Sequence, residues 1–468
     1  MSGSFDAPLP LAADRVRAPA VAGAFYPADP TALARMVDAC LSGASCGPVA
    51  AKAIIAPHAG YVYSGAIAGT AYAAVRHRGD AVRRVLLFGP AHRLPFRGLA
   101  APSADGLMTP LGVVPVDRAA VDSLLGLPDV QILDRAFDGE HALEVQLPFL
   151  QRCFPKAAVV PLLVGAAAPE TVEAVMTRLW GGDETLVVVS SDLSHYHDYD
   201  TARQLDLATA HAIERAEPAG LTGDQACGFK PVAALLNRAR ALDLRLTTRD
   251  LRSSGDTAGD RHRVVGYGAY TAEPAEQARL SDEERAELLR AAHAALTHVV
   301  QRGRVPEVAV DTFPVPLRNL RRTFVTLEIG GQLRGCIGSL EAVHPLVRDV
   351  IVNTGKSALN DPRFGPLTAD EVGRVTVTIS ILSHDRPLPF TDEAGLLAAL
   401  RPGVDGLILQ DGPRAALFLP KVWDMLPDPR QFLRHLKAKA GLDPDRETGT
   451  LTARHFTAET FGDGAGNG

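Results

Sequence analysis

The sequence predicts an α/β domain with a mainly parallel sheet and helices on both faces, followed by a smaller α+β domain. Three observations support this prediction. The 468 residues exceed the size of one ordinary domain. Short apolar runs alternate with helix-like segments in the first half, and hairpin patterns replace this alternation in the second half. The predicted segments are a flexible arm (1–17), the α/β domain (18–272), a linker (273–280), the α+β domain (281–464) and a tail (465–468).

The α/β domain is predicted from apolar runs that are separated by segments of helical character. The runs predicted as strands are AIIA (53–56), VLLF (85–88), VVPLLV (159–164), TLVVVS (185–190) and VVGYGAY (264–270). The predicted helices span 30–42, 65–78, 117–126, 140–152, 169–180, 201–216 and 229–241. Because parallel strands need long crossover connections, this alternation favours a parallel sheet that is covered on both faces.

The second half has signals of a different kind. Ser281 and Glu284 predict a capping box at the start of an amphipathic helix over 282–303. Gly330 and Gly331 predict a two-residue turn within a hairpin. The remaining predicted elements are that hairpin (323–340), an alternating strand (374–382), a hairpin around Asp411-Gly412 (406–420) and a late helix (429–442).

Composition excludes several classes of protein. A net charge of −6 argues against a nucleic-acid partner. The five cysteines are scattered, without the spacing of a disulfide framework or an iron–sulfur cluster, which fits a reducing compartment. The first residues lack the pattern of a secretory signal, and no apolar run reaches about 18 residues. We therefore expect a cytoplasmic protein with no nucleic-acid or membrane partner.

Three histidines come shortly after predicted strands. His58 follows AIIA, His92 follows VLLF and His195 follows TLVVVS. In an open α/β sheet the carboxyl ends of parallel strands meet at one edge, where ligands bind. A single histidine in such a position is commonly a turn residue. Three of them in the same topological position favour a shared metal site.

A metal bound by neutral imidazoles also needs an anionic ligand to balance its charge. Cys227 is one candidate, because the predicted helix that follows it favours a thiolate. Asp192 is another, because it would complete a site of two histidines and one carboxylate. Cys227 is also compatible with a small buried hydrophobic position. His141 and Glu144 are three residues apart and are predicted to share one face of helix 140–152.

The string QLRGCIGSL is the notable feature of the second half. Cys336 lies between Gly335 and Gly338 in a predicted strand, and glycines there indicate a bulge or a close backbone approach. Nearby arginines would form an anion site beside the cysteine: Arg318, Arg321, Arg322 and Arg334. The alternative, which we favour, is a buried cysteine with the arginines on a solvated face.

Residues 18–272 resemble the Memo (mediator of cell motility) family. The strings that carry the resemblance, in the family's order, are APHAGYVYSG, LLFGPAHR, TPLG, EHALEVQLPFL, VVVSSDLSHY and ACGFKPVAALLN. The resemblance implies a fold similar to class III extradiol dioxygenases and an iron(II) or copper site. The implied metal ligands are His58, His92 and Cys227. The implied catalytic residues are His195, with Asp192 and His141 near the pocket.

This chain departs from the Memo pattern at two positions. His92 is followed by Arg93, where the family often has a second histidine. Phe229 follows Cys227-Gly228, where the family often has arginine. These departures bear on substrate contacts and leave the implied ligand set intact.

Residues 281–464 resemble the AMMECR-type domain. The matching strings are LRGCIGSL, NDPRFGPLT, VTISILS, GLILQDGPRAALFLPKVW and FLRHLKAKAGL. The implied motif residues are Arg334, Gly335, Cys336 and Gly338, together with residues 360–363. With both halves, the chain looks like a fusion of the B and A components of the bacterial AmmeMemoRadiSam system. The third component resembles a radical S-adenosylmethionine (SAM) enzyme. This chain has no CxxxCxxC motif, so that enzyme would be a separate partner.

The two resemblances imply a metal-binding component of a redox or modification enzyme. It would act with the radical SAM partner on a small molecule or peptide. A non-catalytic scaffold that binds metal or peptide and recruits partners through the AMMECR-type domain is the alternative. An extradiol-type dioxygenase is a third interpretation, which fold kinship alone does not establish.

Overall fold

The computed structural model describes residues 15–44, 46–275, 277–445 and 451–463. The chain divides into two compact units, with the boundary between Ala278 and Arg279. Residues 1–14 of the predicted arm and the predicted tail lie outside the described residues. The last two residues of the predicted arm, Val16 and Arg17, pair with a later strand at Gly106 and Leu107.

The described part of the N-terminal unit alternates strands and helices. Its strands are β1 (Val16–Arg17), β2 (Ala53–Ala56), β3 (Arg84–Pro90), β4 (Leu99–Ala101), β5 (Gly106–Thr109), β6 (Gly112–Pro115), β7 (Val130–Ile132), β8 (Ala158–Val164), β9 (Thr185–Ser190), β10 (His195–His197), β11 (Leu244–Ser253) and β12 (Val264–Pro274). Its α-helices are α1 (Pro30–Ser42), α2 (Tyr61–Val75), α3 (Arg118–Leu124), α4 (Leu147–Cys153), α5 (Pro169–Arg178), α6 (Tyr199–Glu214), α7 (Phe229–Ala241) and α8 (Ser254–Thr257). Short 3₁₀ segments span Arg76–Ala81, Asp134–Phe137 and Glu144–Gln146.

The central sheet of this unit has the strand order β10-β12-β2-β9-β3-β8-β4-β7, with β11 also paired to β12. The four central strands, β2, β9, β3 and β8, run parallel. Strands β12 and β4 join this core in the antiparallel sense. The central strands are buried almost throughout, as expected for strands that helices cover on both faces. The predicted fold class is thus confirmed.

The predicted helix over 140–152 is wrong in its first part. Gly139 adopts a left-handed φ of 67°, and the Glu140 carboxylate accepts the backbone N–H groups of His141 and Ala142. These features form a turn, so α4 begins only at residue 147. His141 and Glu144 therefore do not share a helix face. The Glu144 carboxylate instead accepts hydrogen bonds from the N-terminal segment at residues 20, 21 and 26.

The C-terminal unit is α+β. Its described strands are β13 (Arg322–Ile329), β14 (Gln332–Gly338), β15 (Val375–Leu382), β16 (Arg386–Pro387), β17 (Gly406–Asp411), β18 (Arg414–Phe418), β19 (Thr452–Phe456) and β20 (Ala458–Gly462). Its described α-helices are α9 (Asp282–Arg302), α10 (Val315–Arg318), α11 (Leu346–Leu359), α12 (Ala369–Val372), α13 (Glu393–Ala399) and α14 (Pro429–Lys439), with 3₁₀ segments at Val310–Thr312 and Pro420–Asp424. The strands form two antiparallel sheets, β14-β13-β15-β20 and β16-β19-β17-β18.

The residues predicted to cap a helix and to close the first hairpin in this unit do so in the structure. Ser281 and Glu284 cap α9 reciprocally, each side chain accepting the other residue's backbone N–H. Gly330 and Gly331 have φ angles of 59° and 76° and close the first hairpin. In the second hairpin Asp411 still pairs with Arg414, so the turn lies one residue later than predicted. Across the described residues, no helix has the length and apolar character needed to cross a membrane.

Candidate metal centre

Three histidines from separate segments converge in the N-terminal unit. His58 follows β2, His92 follows β3, and His141 lies in the turn that precedes α4. Each offers a ring nitrogen within 4.8 Å of the others, so the three can hold a metal ion. The ring centroids are 5.2 Å apart for His58 and His92, 5.4 Å for His58 and His141, and 4.8 Å for His92 and His141.

The hydrogen bonds of Ser190 fix the tautomer of His58. The Ser190 hydroxyl donates its proton to the carbonyl of Ala142 at 2.6 Å and accepts from Gln146 Nε2 at 2.8 Å. It therefore accepts from His58 Nδ1, which lies 2.9 Å away. Nε2 of His58 keeps its lone pair for a ligand. Burial, followed by the neighbouring histidines, lowers the pKa of His58 well below its usual value, so its ring is neutral.

Glu140 orients His92 in a comparable way. Its carboxylate accepts from His92 Nδ1 at 3.0 Å and also accepts the backbone N–H of the same residue. Burial alone would raise the pKa of Glu140, but these hydrogen bonds and that from Ala142 lower it to about 2. A carboxylate on Nδ1 orients the ring and leaves Nε2 of His92 available for a metal.

His141 has a buried ring nitrogen with no hydrogen-bond partner in the described part of the chain, as expected of a side chain that binds a metal ion. Its Nδ1 is buried and makes no hydrogen bond among the described residues, although Glu140 Oε1 lies 3.4 Å away. Burial lowers its pKa below the usual value. An orphaned imidazole nitrogen beside two oriented ones fits a shared ion.

Cys227 and Asp192 flank His58. The Cys227 sulfur is 3.2 Å from His58 Nε2 and precedes α7, as predicted. Burial, reinforced by the Asp192 charge, raises the pKa of Cys227 to about 12, so the helix does not make the free thiol acidic. Asp192 accepts the backbone N–H of His58 at 2.7 Å, and its Oδ2 lies 4.0 Å from His58 Nε2. Burial raises the pKa of Asp192 as well.

The histidines open into a cleft with a volume of about 620 Å³. His195 and Asp192 line this cleft together with the three clustered histidines. The predicted shared site is therefore wrong in its third histidine, because His141 and not His195 clusters with His58 and His92. His195 lines the cleft beside them. Sequence reasoning missed the roles of Ser190 and Gln146, although both are polar residues in apolar strings.

Neither arrangement predicted around Cys336 is present. Cys336 is half-buried, and Arg321 and Arg322 are buried rather than on a solvated face. Arg334 forms a two-pronged ion pair with Glu371, at 2.8 and 2.9 Å, and is therefore neutralised. The other three arginines also have protein partners: Arg318 bonds to the carbonyl of Phe313, Arg321 to His384 and Arg322 to Asp385. The Cys336 backbone N–H donates to Asp361 at 2.8 Å.

The two glycines of this motif allow close packing. A Cβ at Gly335 would lie 2.1 Å from the carbonyl oxygen of Ser357 in α11, and one at Gly338 would lie 2.3 Å from the Phe324 ring. The register of β13 and β14 also shifts beside Gly335. Both the bulge and the close approach that the glycines indicated are present.

Comparisons with known proteins identify relatives that match part of this chain. A MEMO1 family protein of Methanosarcina barkeri is 34% identical over 275 residues, which cover 55% of this chain and 100% of that protein. A MEMO1 family protein of Aquifex aeolicus is 33% identical over 264 residues, which cover 54% of this chain and 97% of that protein. The crystal structure of an uncharacterized Pyrococcus horikoshii protein shares 31% identity and covers 40% of this chain and 94% of its own, with a TM-score of 0.37.

Family models match both halves of the sequence. Residues 289–461 match the AMMECR1 model. Residues 17–271, more than half of the chain, match the model described as Memo-like protein. The chain therefore belongs to the Memo-like protein family and carries an AMMECR1 domain in its second half.

Proposed function

We propose that the N-terminal unit binds one redox-active ion, iron(II) or copper, and is a component of a redox or modification enzyme. The observation that carries this proposal is the convergence of three histidines, two of them with the tautomer set by a hydrogen bond to Nδ1. Imidazoles that are already oriented by hydrogen bonds can bind a metal without rearrangement.

His58 and His92 belong to both candidate ligand sets. The geometry of the ring nitrogens groups them with His141, whereas Cys227 contacts Nε2 of His58. The third ligand is Cys227, as the family resemblance implies, or His141, which completes the nitrogen cluster. A thiolate would balance the charge of the ion and favour a softer metal than a carboxylate would. The hydroxyl of Ser190 and the carboxylate of Glu140 support both arrangements equally.

A bound ion of this kind supplies Lewis acidity and electron transfer. The chain's own residues supply proton transfer and shape. His195 lines the cleft and can exchange a proton with a bound ligand, and Asp192 holds the backbone at His58. Because Asp192 is buried and its pKa is raised, it can also share a proton with a neighbouring group.

Metal analysis of protein purified without oxygen tests the proposal. We expect about one equivalent of iron or copper in the wild type and a loss of at least about ten-fold in occupancy in the His58→Ala, Cys227→Ala double variant. His77→Ala is the control, because His77 is exposed in a 3₁₀ segment. Equal metal content in the double variant and the control would refute the assignment.

We also propose that a separate radical SAM enzyme is the partner of this chain. The support is the presence of both a Memo-like and an AMMECR1 domain in one polypeptide. Affinity purification of the full chain from its native host, followed by mass spectrometry, should recover a protein with a CxxxCxxC motif. Turnover of a substrate by the reconstituted pair would then separate an enzyme component from a non-catalytic scaffold.

A further inference from the structure

The cleft that holds the histidines carries a cationic side chain that the metal proposal does not use. Arg263, just before β12, lines this cleft. Its guanidinium lies 5.0 Å from the centre of the Tyr196 ring. Among the described residues it has no carboxylate within ion-pair distance, whereas Arg334 and Arg322 are both paired. The positive charge of Arg263 is therefore available to a ligand.

The backbone beside Arg263 is shaped to expose aromatic surface. The pairing of β10 with β12 shifts between His195 and His197, and Tyr196 at the shift has a φ of 63°. Successive residues of a regular strand face opposite sides, but this bulge lets both His195 and Tyr196 line the cleft. A bulky residue with positive φ is strained, and such strain concentrates at functional sites.

The remaining walls indicate the shape and charge of the ligand. Phe25, Tyr63 and Tyr267 line the same cleft as Tyr196, so a planar ring bound there can contact aromatic side chains. Asp260 also lines it and accepts the backbone N–H of His262. The lining thus has one available guanidinium and two carboxyl groups, those of Asp192 and Asp260, which suits a single negative charge and disfavours a phosphate dianion.

We propose that this cleft binds an aromatic monocarboxylate, with Arg263 pairing with the carboxylate and Tyr196 contacting the ring. This inference rests on the proposed function, because it identifies the substrate class of the same site. It adds a specificity-determining residue to the metal ligands. The guanidinium fork matches the two oxygens of a carboxylate.

Calorimetric titration of the full chain, loaded with Zn²⁺ as a redox-silent ion, tests the inference. Benzoate and benzamide share a shape and differ in charge. We expect benzoate to bind the wild type and its Kd to rise at least about ten-fold in Arg263→Gln. Arg263→Lys should lose less affinity, because it keeps the charge. Arg261→Gln is the matched control, since Arg261 stacks on Tyr199 outside the lining residues.

The difference between benzoate and benzamide shows whether Arg263 recognises charge. Benzamide should bind weakly and be insensitive to Arg263→Gln, whereas a merely structural role of Arg263 would affect both ligands equally. No benzoate binding by the wild type, tighter binding of phenyl phosphate, or equal Kd values in Arg263→Gln and Arg261→Gln would overturn the inference. A Zn²⁺ titration of the same protein separates the two proposals. If the protein takes up no Zn²⁺ but still binds benzoate in an Arg263-dependent manner, the anion site is supported and only the metal centre is refuted.

Discussion

At the scale of single residues, Glu140 has the greatest influence on the metal centre without being a proposed ligand. It accepts hydrogen bonds from Nδ1 and the backbone of His92 and from the backbone of His141. One carboxylate thus fixes two of the three clustered histidines. Replacing the carboxylate by a neutral group of the same size should weaken the orientation of both histidines without creating a cavity.

We therefore predict that Glu140→Gln weakens metal binding by about 10- to 100-fold, the usual effect of losing a carboxylate behind a ligating histidine. Competition with a chromophoric chelator measures this affinity. Asp138→Asn is the control. Asp138 lies two residues before Glu140 in the sequence, but its side chain pairs with Arg17. Equal affinities in the two variants would show that Glu140 does not support the metal.

The protonation of Cys227 distinguishes the two ligand sets. Burial raises the pKa of the Cys227 thiol, and the charge of Asp192 adds to this effect, so that the pKa is about 12. The metal-free thiol is therefore protonated at neutral pH. Burial also lowers the pKa values of His58 and His141, so these rings have no proton to release. A metal that binds Cys227 as thiolate must displace one proton.

We predict that metal binding releases one proton from the thiol and that the apparent affinity rises about ten-fold per pH unit between pH 7.5 and 9. Titrations in buffers of different ionisation enthalpy measure the proton release. Cys227→Ser should abolish both the release and the slope. If the wild type shows neither, the third ligand is His141.

At the scale of elements, β14 and α11 approach so closely that only glycine fits between them. A methyl group at Gly335 would overlap the carbonyl oxygen of Ser357, a backbone atom that cannot rotate away. We predict that Gly335→Ala destabilises the C-terminal unit by at least about 2 kcal/mol. Gly373→Ala, where the surrounding space is open, should change the free energy of unfolding by less than about 0.5 kcal/mol.

Denaturant unfolding can report on this unit selectively. Trp423 is 3% exposed and stacks on Phe432, and the second tryptophan, Trp180, lies in the N-terminal unit. In a Trp180→Phe background the fluorescence therefore follows the C-terminal unit alone. Similar midpoints for the two glycine variants would contradict the close approach.

Asp405 ties three elements of the C-terminal unit together. It precedes β17, accepts from Arg401 after α13, and lies 3.4 Å from His455 on β19. Burial alone would raise the pKa of Asp405, but the hydrogen bonds from His455 and Arg401 outweigh it and lower the pKa to about 2. This value is below the roughly 3.9 of an unfolded chain. The stabilisation is therefore present above about pH 4 and is lost as the pH falls toward 2.

We predict that Asp405→Asn lowers the free energy of unfolding by about 1–3 kcal/mol at pH 7 and that the difference disappears near pH 2. Urea unfolding at several pH values measures this dependence. Asp424→Asn, which changes an exposed carboxylate of the same unit, is the control. A constant difference at all pH values would mean that the carboxylate charge is not responsible.

Elements differ in how far the sequence reveals them. Helices α1 and α7 have the predicted bounds, because the apolar spacing that indicates a helix is local to each segment. Strand β11 was not predicted, because polar residues fill it. Thr247, Thr248, Arg249 and Asp250 are nevertheless buried, and Arg249 forms a buried ion pair with Glu273 of β12. Such pairing depends on a neighbour far along the chain.

The same distinction applies to the metal centre. The convergence of His58 and His92 was predictable because each follows an apolar strand, and strand ends share an edge. His195 also follows such a strand, but it lines the cleft without joining the cluster of ring nitrogens. The place of His141 depends on Gly139 and on Glu140, which replace the predicted helix by a turn. Tautomers set by Ser190 and Glu140 arise only when distant segments meet.

At the scale of the whole molecule, the metal centre belongs to one unit. All proposed ligands and the side chains that orient them lie before residue 278, within the N-terminal unit. Relatives such as the M. barkeri protein also match this chain over only 55% of its length, while their own length is fully covered. A polypeptide of the N-terminal half therefore exists as a complete protein elsewhere.

We predict that a fragment of residues 1–278 folds and binds metal with a Kd within about two-fold of that of the full chain, because the interactions that orient the ligands are all retained. Circular dichroism checks its folding, and chelator competition measures its affinity. The same fragment with His58→Ala should fold and lose binding. A folded fragment whose affinity is more than two-fold weaker would contradict the conclusion that the N-terminal unit alone determines metal affinity.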